Sequence, residues 1–223
     1  MNKSIIPNLF TAANLAFGVI GIGLTAGGHF IGAAICVFLS IIADGLDGRV
    51  ARALGVAGPM GRELDSLSDV VGFGVSPAFL ISTMFLHDIG WWSYIPFVIF
   101  SVLGEFRLAR FNINTEVVHG YFQGLPIPAA GCLLATVVLS GIHVAPWVMF
   151  VTLLVVGYLM VSQVHYPDFK GHSDEPVSLV ALGVISVVAI IGLVWDWHSW
   201  LVLIFALYAL YGIVNTIVSI FRR

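Results

Sequence analysis

Charge is scarce in this chain. Only 9% of its 223 residues are Asp, Glu, Lys or Arg, against about 25% in a soluble domain, so there is no surface suited to water. Two of the nine basic residues are lysines, and all nine are dispersed. That excludes the basic face a nucleic-acid binder needs. Cysteine is nearly absent. Cys36 and Cys132 both fall in apolar stretches, which fits buried hydrophobes and not a disulfide, and no CxxC or Cys/His cluster offers zinc a site. Low-complexity tracts and convincing internal repeats are missing, and no polar segment is long enough for a soluble appendage. Any chemistry therefore falls to helix residues at a membrane boundary, helped by short loops at about 113–126 and about 165–175.

What is present is apolar: 59% of the chain is hydrophobic and the mean hydropathy is +1.03. A window of about 20 apolar residues spans a bilayer. Eight such windows are predicted, roughly 5–26, 30–54, 64–86, 91–112, 127–142, 145–164, 176–195 and 198–220. The expected fold is an all-α polytopic helix bundle. With the N-terminus inside, Lys3, Arg49, Arg52, Arg62, Arg107, Arg110, Lys170, Arg222 and Arg223 all fall at cytoplasmic ends or loops, while the opposite loops hold Asp88 and Asp196. This is the positive-inside pattern, and it puts both termini in the cytoplasm. The opening stretch has one Lys and a small-residue end, as a signal peptide does. Two asparagines and a proline within it argue instead for a retained helix with a polar face. The 24 glycines let membrane helices approach closely.

Against that background the segment "ADGLDGRVARALGVAGPMGRELDSLSD", Ala43–Asp69, stands out with four aspartates. Asp44 and Asp47 are three apart and Asp65 and Asp69 four apart, so each pair shares a helix face. The turn "GVAGPMG" between them reverses the chain and brings the pairs together. One aspartate at the centre of a membrane helix costs roughly 2.5–3.5 kcal/mol, and mutual repulsion adds to that. One or two divalent cations offset both. All-oxygen ligands point to Mg²⁺, Mn²⁺ or Ca²⁺ rather than zinc. Such ions clamp diphosphates and stabilise leaving oxygens. Gly48 and Ala51 leave room for a flat base or a phosphate beside the helix, and Arg52 can pair with phosphate. Two other readings fit an intramembrane acid cluster: an ion-coupled transporter and structural helix pairing.

The spacing Asp44-x₂-Asp47-Gly48-x₂-Ala51-Arg52-x₈-Gly61-x₃-Asp65-x₃-Asp69 matches a family signature at all eight specified residues across 26 positions. In this the chain resembles the CDP-alcohol phosphatidyltransferases, integral membrane enzymes that move a phosphatidyl group from a CDP-linked lipid to an alcohol and release CMP. "IPNLFTAANLAFG", "GRELDSLSDVVGFGVSPA", "RLARFN" and "FQGLPIPAAG" resemble the branch of that family that uses L-serine as acceptor. The likeness covers about residues 1–170. Many family members have six core spans, so 171–223 reads as an additional helix pair on a single catalytic domain, 1–223.

The resemblance implies roles. Asp44, Asp47, Asp65 and Asp69 would bind two divalent cations, Mg²⁺ or Mn²⁺. Asp69 would also be the catalytic base, and since coordination lowers basicity it would be the loosest ligand. Gly48, Ala51, Arg52 and Gly61 would line the CDP pocket. Asn8, Thr11 and Asn14, at helical spacing on the first span, would face the nucleotide or else join helices. Glu105, Arg107, Arg110 and Asn112 would hold serine or phosphate, though both arginines also fit positive-inside anchoring. The two prolines of "GLPIPAAG" leave free backbone amides near the boundary, which would shape an acceptor pocket or simply stiffen a helix start. His119, His165 and His172 have no expected role. The implied substrates are CDP-diacylglycerol and L-serine, among membrane lipids of the inner membrane. The assembly would be a homodimer with its site at the cytoplasmic face. Glycerol 3-phosphate or an inositol phosphate are the rival acceptors. Paired HxK motifs, which would signal a covalent phosphohistidine route, are absent, and "HYPDFK" has the wrong spacing.

Overall fold

The computed structural model describes residues 3–114, 121–167 and 200–221. Its first helix, α1 (Ile5–Ala26), buries a stripe of small and polar residues: Pro7, Thr11, Asn14, Gly18, Gly21 and Thr25. They recur every three or four residues, one face of a 3.6-residue helix. Ile5, Leu9, Val19 and Ile20 point outward and are about half exposed or more. An apolar outside and a small, polar inside is the arrangement lipid favours, because helices there associate through close approach and hydrogen bonds. α2 (Phe30–Ala53) lies along α1.

The chain turns sharply after α2. The amide of Gly55 donates to Arg52 O (3.1 Å) and that of Val56 to Ala51 O (3.0 Å), with Gly55 at φ +66°. These are the paired bonds of a Schellman cap, which needs a left-handed residue where glycine carries no penalty. Pro59 then opens α3 (Pro59–Asp69), a position where its missing N–H costs nothing. The helix thus starts five residues before the span predicted from 64. A π-helical turn, Val70–Val75, follows and runs into α4 (Ser76–Phe85). A 3₁₀ segment, His87–Ser93, carries the exposed Trp91 and Trp92 and leads into α5 (Tyr94–Asn114).

Glycines set two crossings. A Cβ at Gly18 would stand 3.0 Å from Gly72 Cα, and one at Gly131 would stand 2.8 Å from Phe73 O. The π turn is therefore pressed between α1 and α6 (Ile127–Ser140). Ten of the fourteen residues of α6 are buried, and it forms the centre of the bundle, against α2, α4 and a C-terminal helix, α8 (Trp200–Phe221). α7 (Pro146–Val161) lies mainly on α5.

Among the described residues, four helical stretches are long and apolar enough to cross a membrane: Ile5–Ala26, Phe30–Ala53, Pro59–Phe85 and His87–Ile113. They coincide with the first four predicted spans. α6 and α7 fall where the fifth and sixth were predicted, but their 14 and 16 residues are short of the roughly 20 a straight span needs. The eighth corresponds to α8, whose apolar core is Val202–Val214. The seventh lies outside the described residues, as do His119, Lys170, His172, Asp196 and the C-terminal arginines. Among the described residues, one feature departs from an all-α chain. Tyr121–Gln123 (β1) and His165–Pro167 (β2) pair antiparallel, with Phe122 opposite Tyr166, in segments predicted as loops. Three residues per strand are too few for alternation to show in sequence.

Candidate active site

The first two motif acids stand on α2 and the third on α3. One oxygen from each of Asp44, Asp47 and Asp65 lies within 4.8 Å of the others. The helix reversal at Gly55–Gly58 brings them together, as their spacing predicts. Asp47 is buried and its Oδ2 accepts a 2.7 Å hydrogen bond from Thr11 Oγ1. Asp65 Oδ1 is buried without a hydrogen-bond partner among the described residues. A buried, unsatisfied carboxylate oxygen is costly, and here it faces two more carboxylates. The donor set is all oxygen and hard. Both facts fit a divalent cation of the Mg²⁺ or Mn²⁺ kind.

Asp69 is one helical turn deeper, outside that trio. It is buried, and its Oδ1 accepts a 2.9 Å bond from Asn14 Nδ2. Asn14 is itself fully enclosed, and its backbone oxygen accepts from Ser40 Oγ at 3.2 Å. The Gly18–Gly72 crossing makes this contact possible. A Cβ on Gly72 would lie 2.5 Å from Asn14 Oδ1, so a side chain there would push the amide away from Asp69. Asn14, predicted at the nucleotide, therefore sits behind the acids and orients one of them.

A cavity of about 640 Å³ opens beside the trio. Asp47 and Asp65 line it, together with Asn8, Thr11, Gly48, Ala51, Arg52 and Gly61. Those last six were all expected at a nucleotide pocket, and the structure brings them to one place. Arg52 folds back over Gly48, where an added Cβ would stand 3.3 Å from Nη1. Gly61 has open space where a Cβ would be. Arg62 also lines the cavity. Sequence reasoning used it only for orientation, although its place directly after Gly61 was a usable signal.

The four residues expected at the acceptor do not share one location. Arg107 is buried, its guanidinium lies 5.0 Å from the centre of the Phe111 ring, and its Nε has no hydrogen-bond partner among the described residues. It is near enough to Asp69 for their charges to interact. Arg110 has a different task. Nη1 donates to Val161 O (2.7 Å), and Nη2 is directed at Gln123 O (2.9 Å), Ser162 O (3.1 Å) and Met160 O (3.2 Å). It thus caps the C-terminal end of α7 and ties β1 to it. Asn112 Nδ2 donates to Ser66 Oγ at 2.9 Å, joining α5 to α3 between Asp65 and Asp69. Glu105 is exposed. It stands two residues from Arg107, about 200° around the helix, and so faces away from it.

The family model described as CDP-alcohol phosphatidyltransferase matches residues 4–159. The chain is 39% identical over 175 residues to a CDP-diacylglycerol–serine O-phosphatidyltransferase of Helicobacter pylori, covering 74% of this chain and 73% of that one. It is 34% identical over 170 residues to the protein of the same name in Bacillus subtilis, covering 76% and 94%. It is also 34% identical over 169 residues to an archaetidylserine synthase of Methanothermobacter thermautotrophicus, covering 74% and 71%.

Proposed function

The chain belongs to the CDP-alcohol phosphatidyltransferase family, and from that premise we propose that it transfers a phosphatidyl group from CDP-diacylglycerol to the hydroxyl of L-serine, giving phosphatidylserine and CMP. The observation that carries this reading is the meeting of Asp44, Asp47 and Asp65 at the edge of a cavity walled by Gly48, Ala51, Arg52 and Gly61. The names of the three relatives support serine as acceptor. Acyl-chain contacts are generic apolar surface, so ester- and ether-linked lipids would look alike to this site.

Asp44, Asp47 and Asp65 would hold Mg²⁺ or Mn²⁺, which when bound neutralises the diphosphate and stabilises the leaving oxygen. A second ion would draw on Asp69. The rest falls to the chain's own groups. Gly48 and Ala51 admit the cytidine face, and Arg52 meets a phosphate. Asn14 fixes one oxygen of Asp69 and leaves the other to take the proton of the serine hydroxyl. The serine oxygen attacks the phosphorus attached to the lipid, the bond from that phosphorus to the CMP oxygen breaks, and CMP leaves. Its place outside the trio lets Asp69 keep the basicity that tight coordination would remove. Arg107 holds the serine carboxylate, for which a guanidinium is well matched.

Arg110 already serves carbonyls, so among the described residues Arg107 is the buried cation left beside Asp69. One cation suits a carboxylate better than the dianionic phosphate of glycerol 3-phosphate or an inositol phosphate. The same reading has eight spans, a homodimer, and the site at the cytoplasmic face of the inner membrane. Purified protein in detergent, given CDP-diacylglycerol, Mn²⁺ and the three acceptors in parallel, tests it by mass analysis of the lipid product. Phosphatidylserine alone is expected. A product from another acceptor refutes serine and keeps the mechanism. No CMP release from folded protein with any acceptor would favour an ion-coupled transporter.

A further inference from the structure

One charged residue on the cavity wall has no task in the mechanism above. Arg62 lines the cavity together with Gly61 and Asp65, and it is exposed. Among the described residues it has no ion-pair partner. It completes the first turn of α3, where its amide donates to Gly58 O at 3.2 Å and no acid accompanies it. A cation at that end of a helix opposes the macrodipole, so the helix itself gains nothing from Arg62.

Its register on α3 sets what it can do. Arg62, Asp65 and Asp69 are spaced by three and then four residues, so they follow one another along one face of the helix. The rise is about 4.5 Å over the first step and about 6 Å over the second. Exposure falls in that direction, from Arg62 through the half-buried Asp65 to the buried Asp69. Asp65 belongs to the trio that would hold the cation and with it the diphosphate. With the base at Asp69 on one side of that level, an in-line displacement puts the leaving group on the other, and Arg62 stands on that side. Arg52 lines the same cavity from the last turn of α2. Gly61, with open space where a Cβ would be, lets a phosphate come close to the backbone beside Arg62.

The leaving phosphate gains charge as the reaction proceeds. In CDP-diacylglycerol the phosphate next to the ribose carries one negative charge. When the bond from the lipid phosphorus to the CMP oxygen breaks, the electron pair stays on that oxygen and the phosphate gains a second. A guanidinium placed there binds the transition state and the product more strongly than the substrate, and its planar fork matches two phosphate oxygens. We propose that Arg62 holds the phosphate that leaves as CMP, as the partner of Arg52. This rests on the transferase reading given above.

The test uses the full chain with Mn²⁺ and three proteins: wild type, Arg62→Gln and Arg62→Lys. Calorimetry measures the binding of CMP and of cytidine, which has the base and ribose but no phosphate. Turnover and thermal unfolding are followed alongside. Arg62→Gln should weaken CMP about tenfold, the lower end for a charge-assisted bond because the side chain is exposed, and leave cytidine unchanged. Its kcat should fall by a similar factor, with the serine KM and unfolding temperature of wild type. Arg62→Lys keeps the charge and loses the fork, so it should lie between the two. An unchanged CMP affinity in Arg62→Gln overturns the proposal and leaves positive-inside anchoring as the role of the residue. Equal losses for CMP and cytidine overturn it too, because the contact is then to the base or the ribose. A wild type that binds CMP but makes no lipid from serine refutes that acceptor, while the comparison of CMP with cytidine still decides the role of Arg62. A wild type that binds no CMP overturns both the transferase reading and this proposal.

Discussion

Replacing Asn14 with alanine removes one hydrogen bond from Asp69. Asn14 Nδ2 lies 2.9 Å from Asp69 Oδ1, and both residues are buried, so water does not readily replace the lost donor. A hydrogen bond to a charged group is worth about 1.5–3 kcal/mol, and each 1.36 kcal/mol is about tenfold in rate. Asn14→Ala should therefore lower kcat by about ten- to a hundredfold. The KM for CDP-diacylglycerol should change little, because Asn14 does not line the cavity. Asn14→Asp keeps the size but sets a second carboxylate against Asp69 and should be more severe than alanine. The assay is CMP release at saturating substrates, on protein shown to be folded by its unfolding transition. A kcat for Asn14→Ala within about twofold of wild type would refute the claim that this bond prepares Asp69.

Other perturbations separate the roles of neighbouring groups. Gly72→Ala places a Cβ 2.5 Å from Asn14 Oδ1 and should reproduce the kcat defect of Asn14→Ala, with about 1–3 kcal/mol of overpacking visible as a lower unfolding temperature. Arg110→Ala frees the carbonyls at the end of α7 and should cost on the order of 2 kcal/mol of stability. It should lower the unfolding temperature by about 4–8 °C, with a smaller effect on the acceptor KM than Arg107→Lys. Asp65→Asn removes one of three converging carboxylates and should weaken Mn²⁺ binding at least about tenfold, read by the free-ion signal in electron paramagnetic resonance.

The acid cluster was legible because its information is local. Spacings of three and four put Asp44 with Asp47 and Asp65 with Asp69, and the glycines and proline of the turn announce the reversal. The polar stripe of α1 was legible for the same reason, although its partners were not. That Asn14 would serve Asp69 depends on how closely α1 approaches the π turn, and this follows from Gly18 meeting Gly72 across 54 positions of sequence. Arg110 was hidden by distance too, since its acceptors at Met160–Ser162 lie about 50 residues away. Glu105 was a different case. Helical periodicity already put it opposite Arg107, which the resemblance that grouped the two did not weigh. The lengths of α6 and α7 could not be read from hydropathy, because a helix buried inside the bundle is as apolar as one facing lipid.

The central claim is that the aspartates at the meeting of α1, α2 and α3 perform a metal-dependent transfer to serine. It is tested most directly by CMP release from CDP-diacylglycerol with serine as the only acceptor, in wild type and Asp69→Asn, with Mn²⁺ present and again after chelation. The account predicts serine-dependent release by wild type that stops on chelation, returns when Mn²⁺ is restored, and is absent in Asp69→Asn although that variant still binds Mn²⁺ through Asp44, Asp47 and Asp65. Release that persists through chelation, or an Asp69→Asn variant as fast as wild type, would contradict it.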